Sequence, residues 1–259
     1  MVVALGAARG TATIALTGFV AFPTLDAWGR WLADTPAWVG GFDLPFGLPR
    51  ELVLQLGWPL EWAPLIDHYA SLGRDEIRGR FAAFCAARPT GGKFAHRRTD
   101  GPAGSSPSMK WVNPPVAFML HAGVPRLIAA GATLPGLHAP AEGGARIALE
   151  AYPGLLAREL IGRRSYKSDA GAAQTEERRQ ARVDLLAALE RGSPRLGLRL
   201  AIDDAARTLL LDDAKGDCLD AALCLLQAGW AAARRESHPG PGWGLPADID
   251  PLEGWIVTA

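Results

Sequence analysis

A chain of 259 residues with 49% hydrophobic and 21% charged side chains can bury a substantial core and has the composition of an ordinary globular protein. Its 27 basic and 27 acidic residues cancel, which excludes a polycation that holds nucleic acid by bulk charge and leaves only a local patch for such contacts. No apolar run of about 18 residues and no leader-like opening is present, and Cys85, Cys218 and Cys224 lack metal-site spacing, so a cytoplasmic protein with buried thiols and no membrane contact is expected.

Met1 to Leu5 is strand-like, Gly6 to Gly10 is turn material, and Thr11 to Phe22 reads as a second strand. Asp26 to Ala33 is a short helix with Trp28, Trp31 and Leu32 on one side. The apolar stretch Ala37 to Asp43 predicts a strand that must stop there, because Pro45, Gly47 and Pro49 forbid its continuation. Three helices follow, at Arg50–Leu56, Glu61–Leu72 and Asp75–Ala87, and then an irregular stretch from 89 to 115. That stretch holds Lys93, His96, Arg97, Arg98, Lys110 and Trp111, a set able to meet phosphate and stack a base, or to stand as a solvated charge cluster. Residues 115–135 read as one or two short helical pieces broken at Gly123, Pro125 and Gly131.

Arg146 to Tyr152 is the next strand, and Pro153 opens a helix to Ile161. Gln174–Arg191 is amphipathic, with Ala181, Leu185, Ala188 and Leu189 inward and Glu176, Arg178, Arg179 and Arg182 mostly outward. Leu219, Leu223, Leu226 and Trp230 recur at the spacing of one buried helical face, which predicts a helix over 213–233. Pro239 to Pro251 is expected as loop and Gly254 to Thr258 as a closing strand.

Four acids stand out. Asp43 and Glu150 fall at the C-terminal ends of predicted strands, the edge at which open α/β sheets bind ligands. Asp217 and Asp220 share the first turns of the late apolar helix, about 5–6 Å apart at Cβ. Each also has a purely structural role open to it: turn formation for Asp43, an outward position for Glu150, and capping for Asp217 and Asp220. Convergent carboxylates repel unless cations lie among them, and hard Mg²⁺ or Mn²⁺ ions take oxygen ligands and serve phosphodiester hydrolysis. The five histidines have no paired spacing for zinc, and neither a Gly-x-Ser-x-Gly elbow nor a P-loop is present. A pair of carboxylates acting on a glycoside is a rival chemistry, and a non-catalytic binding domain is a third.

Gly41-Phe42-Asp43-Leu44-Pro45-Phe46-Gly47-Leu48-Pro49, Glu150-Ala151-Tyr152-Pro153, Arg163-Arg164-Ser165-Tyr166-Lys167 and Gly216-Asp217-Cys218-Leu219-Asp220-Ala221 resemble, in that order, the DUF429 family of predicted RNase H-like nucleases. The resemblance implies one α/β domain over 1–259: an RNase H-like mixed sheet, a hairpin plus parallel strands, flanked by helices. A helical and loop insertion at about 50–140 would cap the acidic cleft. It also implies Mg²⁺ or Mn²⁺ held by Asp43, Glu150, Asp217 and Asp220, a nucleic-acid substrate, and phosphodiester hydrolysis. Arg97, Arg98, Arg164 and Lys167 are the expected phosphate contacts, with surface salt bridges the alternative for Arg164 and Lys167. Family members carry a further Asp-bearing strand of the form Asp-Phe-Thr-Ser-Ala-Pro ahead of the hairpin, and this sequence opens at the hairpin. The expectation is therefore a protein with an earlier start or a truncated form, unstable or inactive because two strands would lack a ladder partner.

Overall fold

The computed structural model describes residues 1–237 and 240–259, so the first residue of the expected 239–251 loop and His238 lie outside the described residues. In chain order the elements are β1 (Val2–Ala8), β2 (Thr13–Ala21), α1 (Leu25–Asp34), β3 (Trp38–Phe42), α2 (Arg50–Leu56), α3 (Trp62–Ser71), α4 (Arg74–Ala86) and α5 (Asp100–Ala103). Then come α6 (Val116–Ala129), β4 (Arg146–Glu150), α7 (Pro153–Ile161), α8 (Glu176–Arg191), β5 (Arg199–Ala201), α9 (Asp204–Asp212) and α10 (Asp217–Ala232).

The fold is mixed α/β. An antiparallel β1–β2 hairpin, whose register shifts between Leu5 and Gly6, is extended by β5 parallel to β2, and β3 pairs in parallel with β4. The two sheets meet on α10. A Cβ added to Gly6 of β1 would lie 2.7 Å from the Leu225 side chain, and one added to Gly41 of β3 would lie 2.6 Å from the Cys224 carbonyl oxygen. Adjacent residues of one helix thus touch both sheets. The outer edge of β1 and the free edge of β3 carry no ladder partner among the described residues, and Leu5 and Val39 on them stay exposed.

The larger core joins Trp28 and Leu32 of α1 to Leu52, Leu65, Ile66, Tyr69, Ile77 and Phe81 of α2–α4, Leu120 and Leu127 of α6, Ala148 of β4 and Leu252. Residues 50–134 therefore share one core with the sheet. A second core packs α7, α8 and α10 around Leu185, Leu189, Leu219, Leu223 and Leu226.

Four expectations are corrected. Val116–Ala129 is one helix, unbroken at Gly123 and Pro125, because Ala117, Leu120, Val124 and Leu127 bury a continuous face that offsets the roughly 3 kcal/mol penalty of an internal proline. Gly254–Thr258 is not a strand; it is held by single bonds, Val257 N to the Glu150 carbonyl at 2.9 Å and Ile256 N to Thr99 Oγ1 at 3.0 Å. Gly6 to Ala8 continue β1 instead of turning. Arg182 is buried, donating to the carbonyls of Leu211 and Tyr166 at 2.8 and 3.0 Å.

Candidate functional site

β3 and β4 run in parallel with Phe42 opposite Glu150, so Asp43 leaves the sheet beside the point where Glu150 ends it. Close passage of α10 behind β3 requires glycine at 41, since any side chain there would strike the helix backbone. Gly216 sets the start of α10: its φ of +76° suits glycine, and a Cβ would meet the Lys167 side chain at 2.8 Å. The stem of Lys167 is thereby laid across the beginning of the helix that carries Asp217 and Asp220.

Neither of those acids caps α10. The N-cap position is Gly216, and the first-turn amide of Cys218 donates at 2.8 Å to the carboxylate of Asp213, which also accepts from Lys215 N at 3.1 Å in the preceding turn. Asp217 is exposed and accepts no hydrogen bond among the described residues, while Asp220 faces side chains. Tyr166 donates its hydroxyl to Asp220 Oδ1 at 2.5 Å and Lys167 donates its ammonium to Oδ2. Arg182 holds the Tyr166 carbonyl from behind, which fixes the irregular segment that presents both donors.

Asp43 is exposed to solvent, yet neighbouring protein atoms crowd its carboxyl. That crowding, and then the charge of Asp220, push its pKa up to about 7, against the pull of Lys167 and with a further push from Glu150. Burial also pushes Asp220 up, with Lys167 and Tyr166 drawing it back. Lys167 stays above its usual pKa because Asp220, Asp43 and Asp217 together outweigh the desolvation that opposes them. Burial and Asp220 raise the Tyr166 phenol far above its ordinary range, so it remains a donor. Asp220 and Lys167 thus stand between Asp43 on one side and Asp217 on the other, each within their electrostatic reach.

The structure does not bring all the expected residues here. Glu150 is buried at 4% exposure, with its carboxylate filled by both terminal nitrogens of Arg97 and by Phe46 N at 2.9 Å. Arg97, at 3% exposure, also bonds Asp100 and the Glu253 carbonyl, so the expected roles of Glu150 as a metal ligand and Arg97 as a phosphate contact are corrected to a structural ion pair. Arg98 donates its amide to Glu253 and its exposed guanidinium to Asp248 at 2.6 Å. Arg164 pairs with Asp184 at 2.5 Å on the surface. In the 89–115 loop Trp111 meets Phe94 edge-on, with Lys93 above both rings.

Tyr166 and Asp213 are the contributors that spacing did not single out; Tyr166 stands inside the Arg-Arg-Ser-Tyr-Lys stretch, which was the available signal. The oxygen donors of Asp43, Asp217 and Asp220 suit a hard cation chemically, although no three His, Cys, Asp or Glu side chains among the described residues already stand as a metal-holding group. No helix among the described residues is long and apolar enough to cross a membrane.

A family model described as a protein of unknown function, DUF429, matches residues 1–242. No curated protein and no solved structure matches the chain.

Proposed function

The chain belongs to the DUF429 family, and from that premise we propose an RNase H-like, divalent-metal-dependent hydrolase of nucleic-acid phosphodiesters whose site is Asp43, Asp217, Asp220 and Lys167. One observation carries the reading: β3 packs at Gly41 against the α10 backbone at Cys224, one turn after Asp220, so the strand end that bears Asp43 and the helix start that bears Asp220 are neighbours. Two structural alternatives for these acids have lost support, since capping belongs to Asp213 and Asp220 is turned away from the helix amides.

A bound Mg²⁺ or Mn²⁺ would supply the missing positive charge, lower the pKa of a water and offset charge on the phosphate. Around it, the protein's own groups have definite tasks. Tyr166 and Lys167 orient Asp220 from both oxygens. Lys167, kept protonated, is a cation for a non-bridging phosphate oxygen when that oxygen displaces Asp220 from it. Asp43, whose carboxyl lacks a cationic partner of its own, would hold the cation through its oxygens with Asp217 and Asp220. A cytoplasmic setting accords with Cys85, Cys218 and Cys224 as free thiols, two of them buried. The ion pair that Lys167 already makes with Asp220 favours, as a second reading, a non-catalytic nucleic-acid- or protein-binding domain.

The test is cleavage of labelled single-stranded, duplex and branched substrates with Mg²⁺ or Mn²⁺, comparing the native chain with Asp217→Asn. The expected result is metal-dependent cleavage lowered about 100-fold or more by the substitution. Cleavage that survives Asp217→Asn, or none with any substrate, overturns the hydrolytic reading.

A further inference from the structure

A concavity of about 660 Å³ lies beside the acidic cluster, within the range of roughly 300–1,000 Å³ usual for small-molecule sites. Tyr152 and Tyr166 form the wall between the two. The Tyr166 hydroxyl reaches Asp220, and Tyr152 lies within electrostatic reach of Asp43. The half-buried ring of Tyr152 folds over Gly154, where a Cβ would come within 2.7 Å of it.

The rest of the lining is glycine, Pro102, Leu155 and Ala157 with three arginines, Arg158, Arg163 and Arg164, as its charged side chains, and no carboxylate lines it. Arg158 donates to the carbonyl oxygens of Ala103 and Gly104, neutral acceptors that leave its charge uncompensated. Exposed Arg163 makes no ion pair and no side-chain hydrogen bond among the described residues, and Arg164 is paired on its outer side with Asp184. A cavity with a cationic floor and an aromatic wall selects an anion that carries a flat ring.

We infer that this cavity binds a nucleotide of single-stranded nucleic acid adjoining the phosphate presented to Asp43 and Asp220, with Arg158 and Arg163 on its phosphates and Tyr152 against its base. The inference rests on the hydrolytic reading for the direction of the strand and deepens it by naming a polymeric, unpaired substrate. A paired base has both faces covered by its neighbours and cannot enter; an unpaired nucleotide can, and a polymer extends from the cavity past the tyrosine wall to the acids. Arg163 is the most informative probe, since its exposed side chain supports no part of either core.

The experiment measures binding of a fluorescent single-stranded oligonucleotide to the full chain in EDTA, by anisotropy across a salt series. Arg163→Ala should weaken binding about tenfold and lower the salt slope by about one, and Tyr152→Leu should weaken it about tenfold with the slope unchanged. Arg80→Ala, on α4 and paired with Glu76, is the charge control and should change nothing. Unchanged affinity in both cavity variants, or no binding by the native chain, overturns the inference. Equal binding of a duplex overturns its unpaired substrate, and equal competition by a mononucleotide or inorganic phosphate overturns its polymer. Because no divalent ion is present, failure here leaves the cleavage result standing, and failure of cleavage leaves this one standing.

Discussion

Arg97 donates both terminal guanidinium nitrogens to Glu150, Nη1 to Oε2 at 2.8 Å and Nη2 to Oε1 at 2.7 Å. The pair is buried on both sides, and the same guanidinium bonds Asp100 and the Glu253 carbonyl. Burial pushes the Glu150 pKa up, and Arg97 and the Phe46 amide pull it back. The pair thus fastens the 89–115 loop and the C-terminal segment to the end of β4, one residue from the level of Asp43.

Removing one partner of such a pair leaves an uncompensated buried charge, which costs about 3–5 kcal/mol. Glu150→Gln leaves Arg97 its buried ion pair with Asp100 and removes only the charge-assisted bonds to Glu150, so the expected loss is about 2 kcal/mol, or about 5 °C in melting temperature. Arg97→Met should be the more damaging, because it strands two carboxylates, Glu150 and Asp100. Thermal and denaturant melts of both variants check this; a change below about 1 kcal/mol in each would place the ion pair outside the account of the fold.

The division of labour at the start of α10 separates support from function. Asp213→Ala removes the cap and should cost about 1 kcal/mol, within the usual span for capping residues. Asp217→Ala removes no hydrogen bond and should leave stability within about 0.5 kcal/mol. Urea melts decide it: an Asp217→Ala loss as large as that of Asp213→Ala would return Asp217 to the role of cap.

Asp43 makes stability depend on pH with a definite sign. Its pKa rises from 3.8 to about 7 on folding, so between these values the folded form binds more protons than the unfolded one. Stability contributed by the protonated group is complete below the lower value and is lost as pH climbs through the upper one. Asp43→Asn should therefore stabilise the chain above pH 7, on the order of 1 kcal/mol once the solvent exposure of Asp43 is allowed for, and the gain should vanish near pH 4. Melts of both forms across this range, without divalent ions, check it; a gain that grows towards acid contradicts it.

Much of the frame was legible in the sequence because local chemistry settled it. Arg50–Leu56 is a helix at the expected bounds, with Pro49 before it and Gly57 in the left-handed conformation after it. β3 ends before Asp43 as its prolines require. The three-residue β5 is too short for a periodic signal, and α9, capped by Asp203, lay outside the expected elements. Gly123 and Pro125 misled because burial of their neighbours, a tertiary effect, outweighs local propensity.

Within the site, periodicity located Asp217 and Asp220 but could not tell which acid capped the helix. That depended on Asp213 folding back to Cys218. Glu150 and Arg97 each had the chemistry of a ligand contact, and spacing along the chain carries no information that they would find one another.

The central claim is that Asp43, Asp217 and Asp220 together take a divalent cation, and Mn²⁺ binding followed by electron paramagnetic resonance measures that without any substrate. The native chain should bind Mn²⁺ with Mg²⁺ competing, and Asp43→Asn and Asp217→Asn, checked as folded, should each abolish or sharply weaken it. Binding left unchanged by both substitutions, or no binding by the native chain, would contradict the account.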